Sequence, residues 1–236
     1  MFKSFASSSG GNAYMISDGK TRILLECGVS FRKLQQLCSF QLTEVDGVLV
    51  SHEHKDHSQC VEKVLASGIP VYLSQGTARA LELPEPLLDL ATEMSQGRAF
   101  TVGTISVMPF STFHDAQEPL GFVMRSLYDK DIFAFATDTV SLPYNFPGVN
   151  ILAVEANFQE DILERCERMP KKIRHRIQNT HMEIDMLCQC LSRMDLSACR
   201  QIHLLHLSAA TSHEGQFIHK VQRAVPAHIQ VTACPQ

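Results

Sequence analysis

Four metal-capable side chains, His52, His54, Asp56 and His57, fall within six consecutive residues. They follow Val45-Asp46-Gly47-Val48-Leu49-Val50, a valine-rich apolar stretch that reads as a buried strand. A chain of this kind must fold so that a rigid strand ends in a loop of donors, which is what a metal site needs. Neutral imidazole nitrogens and carboxylate oxygens suit zinc, manganese and iron. In extended or tightly looped backbone, His52 and His54 project to the same side. Asp56 and His57 then turn the chain toward a neighbouring position, so one segment can serve two adjacent cations. The alternative is a polar loop whose histidines make ordinary hydrogen bonds. Three histidines and an aspartate at this density count against it.

Further donors follow other apolar runs. His114 comes after Thr104-Ile105-Ser106-Val107-Met108-Pro109-Phe110, Asp138 after Ile132-Phe133-Ala134-Phe135-Ala136-Thr137, and His206 after Gln201-Ile202-His203-Leu204-Leu205. Each alone is a weak signal. Placement just past an apolar run, repeated at four strand ends, is a strong one.

The run His52-x-His54-x-Asp56-His57, with His114, Ala136-Thr137-Asp138-Thr139 and Leu205-His206-Leu207-Ser208, resembles the motifs of the metallo-β-lactamase fold of metallohydrolases. The resemblance covers nearly the whole chain and implies an α/β, four-layer αββα sandwich with two divalent metal ions, zinc or manganese, at one edge. It implies that His52, His54 and His114 hold one ion, that Asp56, His57 and His206 hold the other, and that Asp138 bridges them. A narrower resemblance, to the YycJ/WalJ-like branch, is carried by the opening Phe5-Ala6-Ser7-Ser8-Ser9-Gly10-Gly11-Asn12-Ala13-Tyr14. His114-Asp115-Ala116 followed by Glu118-Pro119-Leu120-Gly121-Phe122 carries it too. That branch is associated with 5′-to-3′ exonuclease activity on DNA. His181, in Asn179-Thr180-His181-Met182, resembles the extra histidine that phosphodiesterase branches place near the scissile phosphate; the alternative is a helix-start histidine without chemistry. The family usually carries aspartate where Leu24-Leu25-Glu26-Cys27-Gly28 has Glu26, so the hydrogen bond that supports the metal loop must be rearranged around one extra methylene.

The implied reaction is phosphodiester hydrolysis by a two-metal-activated hydroxide, with Asp56 orienting the hydroxide and His181 steadying the phosphate or protonating the leaving oxygen. DNA is the expected substrate, ahead of RNA. A small phosphodiester, cyclic nucleotide or thioester is the first alternative, because one scaffold carries many reactions. A non-catalytic binding protein on the same fold is the second, and missing ligands would mark it; the ligand set is complete. Net charge is −4, which argues against a broadly basic coat. The basic residues are instead local: Arg165, Arg168, Lys171, Lys172, Arg174 and Arg176 cluster between the Asp138 and His181 motifs. Lys171, Lys172, Arg174 and Arg176 are the candidates for substrate phosphates, against the alternative of a solvated helix end and charged connector.

The eight cysteines form no C-x-x-C pair, and Cys188-Gln189-Cys190 lies in an expected helix, where residues two apart face different ways. Free thiols, no export signal and no membrane-length apolar run imply a cytoplasmic protein. The oligomeric state stays open, a homodimer included. The periodicity predicts strands at 2–7, 12–17 and 21–26, with Asp18-Gly19 as a hairpin turn, then helices at 31–38, 58–67 and 77–81 and a strand at 71–73. Strands follow at 99–102, 104–110, 121–127, 131–137, 151–155 and 228–232, with helices at 160–168, 183–193 and 213–224. The expected organisation is one domain over 1–236, built of two pseudo-symmetric halves that meet near 95–100.

Overall fold

In the computed structural model of the protein, residues 1–235 are described. The chain forms two compact units, Met1–Ser111 with Ala116–Lys130, and Thr112–Asp115 with Asp131–Cys234.

The first unit contains β1 (Phe2–Ser8), β2 (Gly11–Ser17), β3 (Arg22–Leu25), α1 (Phe31–Leu37), β4 (Gly47–Leu49), α2 (Lys55–Ser58) and α3 (Val61–Ala66). It continues with β5 (Val71–Leu73), α4 (Gln75–Ala80), α5 (Glu85–Leu88), β6 (Ala91–Glu93), β7 (Phe100–Val102), β8 (Ile105–Ser111) and β9 (Leu120–Ser126). A six-stranded sheet runs β1-β2-β3-β4-β5-β6. Its first three strands are antiparallel and joined by short turns, and β3 to β6 are parallel. The parallel register sets Leu25 opposite Leu49, so Glu26 and the Val50-Ser51 step leave the sheet at the same edge. Leu24, Val48, Val64, Val71 and Leu73 are buried in one apolar cluster behind this edge.

The Asp18-Gly19 turn does more than close a hairpin. Asp18 Oδ1 accepts from the backbone N–H of Lys20 and Thr21, both at 2.9 Å, while Oδ2 accepts from Thr104 Oγ1 at 2.6 Å and Ser126 Oγ at 2.9 Å. One carboxylate thereby joins the β2–β3 turn to the antiparallel β7-β8-β9 run. Burial by itself would raise its pKa; the four hydrogen bonds outweigh burial and hold it at about 2.

The helix expected at 58–67 is α3, Val61–Ala66, and a separate short helix, α2, precedes it. The backbone N–H and the thiol of Cys60 both donate to the Cys27 carbonyl, at 3.1 and 3.2 Å, so the chain breaks there to tether itself beyond β3. The earlier piece, α2, contains Asp56 and His57, so the donor run ends in a helical turn rather than a loop.

The second unit contains β10 (Ile132–Ala136), β11 (Ile151–Glu155), α6 (Glu160–Arg165), α7 (Lys171–Thr180), α8 (Ile184–Leu191), β12 (Gln201–Leu205), α9 (Glu214–Ala224) and β13 (Gln230–Ala233). Its four strands are parallel neighbours in chain order. Parallel pairing demands crossovers, and α6 to α8 and then α9 supply two of them. All five residues of β11 are buried, as a strand covered on both faces requires. Ala136 pairs with Val154 and Glu155 with Leu205, so Asp138, Glu155 and His206 emerge at the carboxyl ends of adjacent strands. Ligand sites in parallel α/β sheets form at that end. Lys171, Lys172, Arg174 and Arg176 lie on a ten-residue helix, α7, not on a charged connector, while Arg165 ends α6. Glu183 caps α8, its carboxylate accepting from the N–H of Asp185 at 2.6 Å and of Met186 at 2.9 Å. Among the described residues no helix is long and apolar enough to cross a membrane, and all eight cysteines are free thiols.

Candidate active site

In the first unit the donors stand on the backbone between β4 and α3. His52 is 1% exposed, its Nδ1 lies 2.8 Å from Ser51 Oγ, and its Nε2 lies 3.1 Å from His54 Nδ1. The projection of His52 and His54 to one side, expected from their spacing, is what the structure shows. His57 is fully buried, with Nε2 3.4 Å from Asp56 Oδ2. Three residues outside the run shape it. Asn12 is fully buried; its amide donates to the Asp56 carbonyl at 3.1 Å and sits 3.2 Å from His57 Nε2. Tyr14 OH donates to Asn12 Oδ1 at 2.9 Å and lies 2.7 Å from Ser7 Oγ, which fixes the amide in turn. Gly28 packs against the same turn so closely that a Cβ would lie 1.6 Å from the Asp56 carbonyl oxygen. Only glycine allows this approach.

Glu26 completes the support. It is fully buried at φ 64°, a left-handed conformation rare outside glycine. Its two carboxylate oxygens accept from Ser51 N–H at 3.2 and 3.3 Å, and Oε2 lies 3.5 Å from His57 Nδ1. Burial raises its pKa, opposed by His57 and Ser51. Despite the extra methylene, the glutamate carboxylate still reaches both the loop backbone and a histidine.

In the second unit the donors come from separate strand ends. His114 Nδ1 lies 2.6 Å from the Thr180 carbonyl oxygen. A carbonyl only accepts, so Nδ1 carries the proton and Nε2 is the nitrogen with a lone pair for a cation. That Nε2 lies 3.3 Å from Asp115 Oδ1 and 3.6 Å from Asp138 Oδ2. Burial lowers the pKa of His114, opposed by Asp138. Asp138 is 2% exposed at φ 42°, and His206 is 3% exposed at φ 53°. Their Oδ1 and Nδ1 lie 3.2 Å apart. Asn157 Nδ2 donates to the His206 carbonyl at 2.8 Å. Backbone held in the left-handed region at both residues, as at Glu26, is strain of the kind that clusters at functional sites.

Glu155 is a residue that sequence reasoning misses. It is fully buried and accepts from the Thr139 and Met182 N–H groups at 2.8 and 3.1 Å. Its Oε1 lies 2.6 Å from His181 Nδ1 and 3.2 Å from His206 Nδ1. Asp138, Glu155, His181 and His206 bring one donor atom each within 4.8 Å of one another. The signal is present in the chain: Glu155 ends an apolar strand just as Asp138 and His206 follow theirs. Burial alone would lower the His181 pKa; Glu155, with Asp138, overcomes it and raises it, while the same pairing lowers that of Glu155 against its own burial. His181 stands at the carboxyl end of α7, not at a helix start.

The basic residues divide. Arg176 grips Asp115 with two nitrogens, at 2.7 and 3.1 Å, and so ties α7 to the residue after His114. Arg174 donates to the Glu164 carbonyl at 2.7 Å. Lys171 and Lys172 are exposed on the first turn of α7.

The donor set fits a divalent cation. Two nitrogens on one tetrahedral zinc at about 2.0–2.1 Å lie roughly 3.3 Å apart. The 3.1 Å between His52 Nε2 and His54 Nδ1 matches that spacing. Imidazole and carboxylate donors at the carboxyl ends of parallel strands suit a divalent metal. The chain belongs to the β-lactamase superfamily, whose domain its sequence matches over residues 21–206. Exodeoxyribonuclease YycJ of Bacillus anthracis is 29% identical over 220 residues, covering 88% of this chain and 82% of that one. Exodeoxyribonuclease WalJ of Streptococcus pneumoniae is 28% identical over 218 residues, covering 86% and 80%. The metallo-β-lactamase fold protein YhfI from Bacillus subtilis superposes with a TM-score of 0.72 at 14% identity, covering 98% of this chain and 95% of that one. The protein is a hydrolase of the metallo-β-lactamase fold.

Proposed function

We propose that the protein is a DNA exonuclease that works from the 5′ end with two divalent cations, zinc or manganese. The observation that carries this is the similarity of most of the chain to two exodeoxyribonucleases, joined to a donor set suited to metal. In this reading His52, His54 and His114 would hold one cation, Asp56, His57 and His206 would hold the other, and Asp138 would serve both. When bound, such a pair supplies hydroxide near neutral pH and neutralises charge developing on the phosphate.

The chain's own residues do the rest. Glu26 and Asn12 hold the His57 turn rigid, and Glu155 orients His181 and His206 together, so the donors are set before any cation arrives. Asp56 orients the attacking oxygen. His181 is held at Nδ1 by Glu155, which leaves Nε2 to steady the phosphate or protonate the leaving oxygen. Arg176 is committed to Asp115, so phosphate contacts fall to Lys171, Lys172 and Arg174.

The test is a metal-supplemented panel of end-labelled single- and double-stranded DNA, RNA, a cyclic nucleotide and a thioester, run on the wild type and Asp56→Ala. The reading requires nucleotides to be released from the 5′ end of DNA by the wild type and not by the variant. Faster turnover of RNA, the cyclic nucleotide or the thioester would replace it.

A further inference from the structure

The second unit carries a cavity of about 400 Å³ that the proposed chemistry leaves unused. One wall is the segment that follows Asp138, contributing Leu142, Tyr144 and Asn145. The other is α8 and the residues just past it, contributing Met186, Cys190 and Arg193. Met186 and Cys190, four residues apart, share one face of α8, and Arg193 follows just past its end. Tyr144 stacks with Phe146, ring centroids 6.2 Å apart and planes 27° apart, so the wall is an aromatic platform. Leu142 is buried beneath it, and Met186 opposite is 39% exposed, a large apolar side chain turned toward solvent at the rim. Asn145 Oδ1 accepts from the Asp195 N–H at 3.0 Å, which fixes that side chain at the edge.

We infer that this cavity holds a base of the substrate strand, seated against Tyr144 and Met186, with Arg193 on the adjoining phosphate; the inference rests on the nuclease reading above. An aromatic plate, apolar walls, one amide and one guanidinium together suit a flat ring with a polar edge and an attached anion. A purely apolar ligand would leave the Arg193 guanidinium at the rim unmatched. Both walls are anchored at residues of the reaction. Ser141, where the cavity begins, is three residues past Asp138, no more than roughly 11 Å of chain. α8 starts three residues after His181. At about 3.4 Å per stacked nucleotide, a strand with a phosphate at those residues sets a base here within a few positions.

Three measurements test it together: cleavage of single-stranded DNA, steady-state constants of variants, and photocrosslinking of an oligonucleotide carrying 5-iodouracil. Tyr144→Ala is expected to raise KM for single-stranded DNA about tenfold, and more than it lowers kcat, within the range for loss of one base–aromatic stack. Tyr144→Phe, which keeps the ring, is expected to stay near wild type. Arg193→Glu, an exposed change that does not threaten folding, is expected to raise KM and flatten its salt dependence. The crosslinked peptide is expected to contain Tyr144. Wild-type cleavage of DNA with unchanged KM in both Tyr144→Ala and Arg193→Glu, or crosslinks confined to other peptides, overturns the base site and leaves the nuclease reading standing. A wild type that does not cleave DNA at all overturns both.

Discussion

The two units assemble their donors in opposite ways. The first places His52, His54, Asp56 and His57 on six consecutive residues, with Glu26, Asn12 and Gly28 brought up from behind to hold one turn in shape. The second draws His114, Asp138, Glu155, His181 and His206 from five separate points of the chain and ties them through Glu155 and the Thr180 carbonyl. In the first, local sequence sets the spacing of donors and tertiary contacts only stiffen it. In the second, parallel strand register sets the spacing, and no local segment holds it. A short loop tolerates change in its sheet better than a register does, so the units should fail differently.

The largest effects separate them by ligand. Asp56→Ala or His57→Ala should abolish hydrolysis while far-ultraviolet circular dichroism stays near native, since each is held by a local turn. Asp138→Ala should abolish hydrolysis and also lower the melting temperature. Retained DNA cleavage by either Asp56→Ala or His57→Ala would break the two-metal assignment. Chelation should silence the wild type, and zinc or manganese should restore it.

Supporting carboxylates come next. Glu155→Gln and Glu26→Gln should each cost roughly 10- to 100-fold in metal affinity or activity. Glu155→Gln should be the more damaging, because Glu155 lies within 3.2 Å of two histidines whereas Glu26 lies near one. Equal losses, read from metal titrations and kcat/KM, would erase the contrast between a local and a distributed site.

Neutralising Lys171, Lys172 and Arg174 together should weaken DNA binding. The slope of log K against log salt should shrink by about one for each phosphate that is no longer neutralised. Unchanged turnover at moderate salt would make α7 a solvated face.

The smallest effect is in acid. His203 is half-buried on β12, and desolvation lowers its pKa from 6.5 to about 4. The unfolded chain takes up that proton first, so the stability of the second unit should fall as pH drops from 6.5 toward 4 and level off below. Asp18 in the first unit has its pKa lowered from 3.8 to about 2, so its contribution is complete above 3.8 and is lost only as pH falls toward 2. Acid titration of stability should therefore show the His203 loss first, and His203→Gln should remove it. Asp18→Asn should reduce the later loss by about 1 kcal/mol or less.

The strand pattern and most element bounds are legible in the chain because periodicity is local. β5 at Val71–Leu73 and β11 at Ile151–Glu155 fall where the apolar runs put them. The short helix α2 at Lys55–Ser58 and the break that separates it from α3 are not legible, because the break depends on Cys60 reaching Cys27, 33 residues away. α7 reads as a connector because four basic residues in its first six positions hide the helical pattern that its position in the second unit stabilises. Glu155 escapes notice for a related reason: a lone glutamate ending a strand has no local partner, and its meaning comes from His181 and His206, 26 and 51 residues on.

By itself the sequence determined the donor run, the strand ends that carry the other donors, and the family that such motifs resemble, since these rest on residue type and short-range spacing. Only the tertiary structure decided that Glu26 fits where its length seemed wrong, its carboxylate meeting the Ser51 N–H and His57. Only it chose the protonated nitrogen of His114 and brought Glu155 between two histidines. Those depend on which strand lies beside which and in what register, information that no single segment of the chain contains.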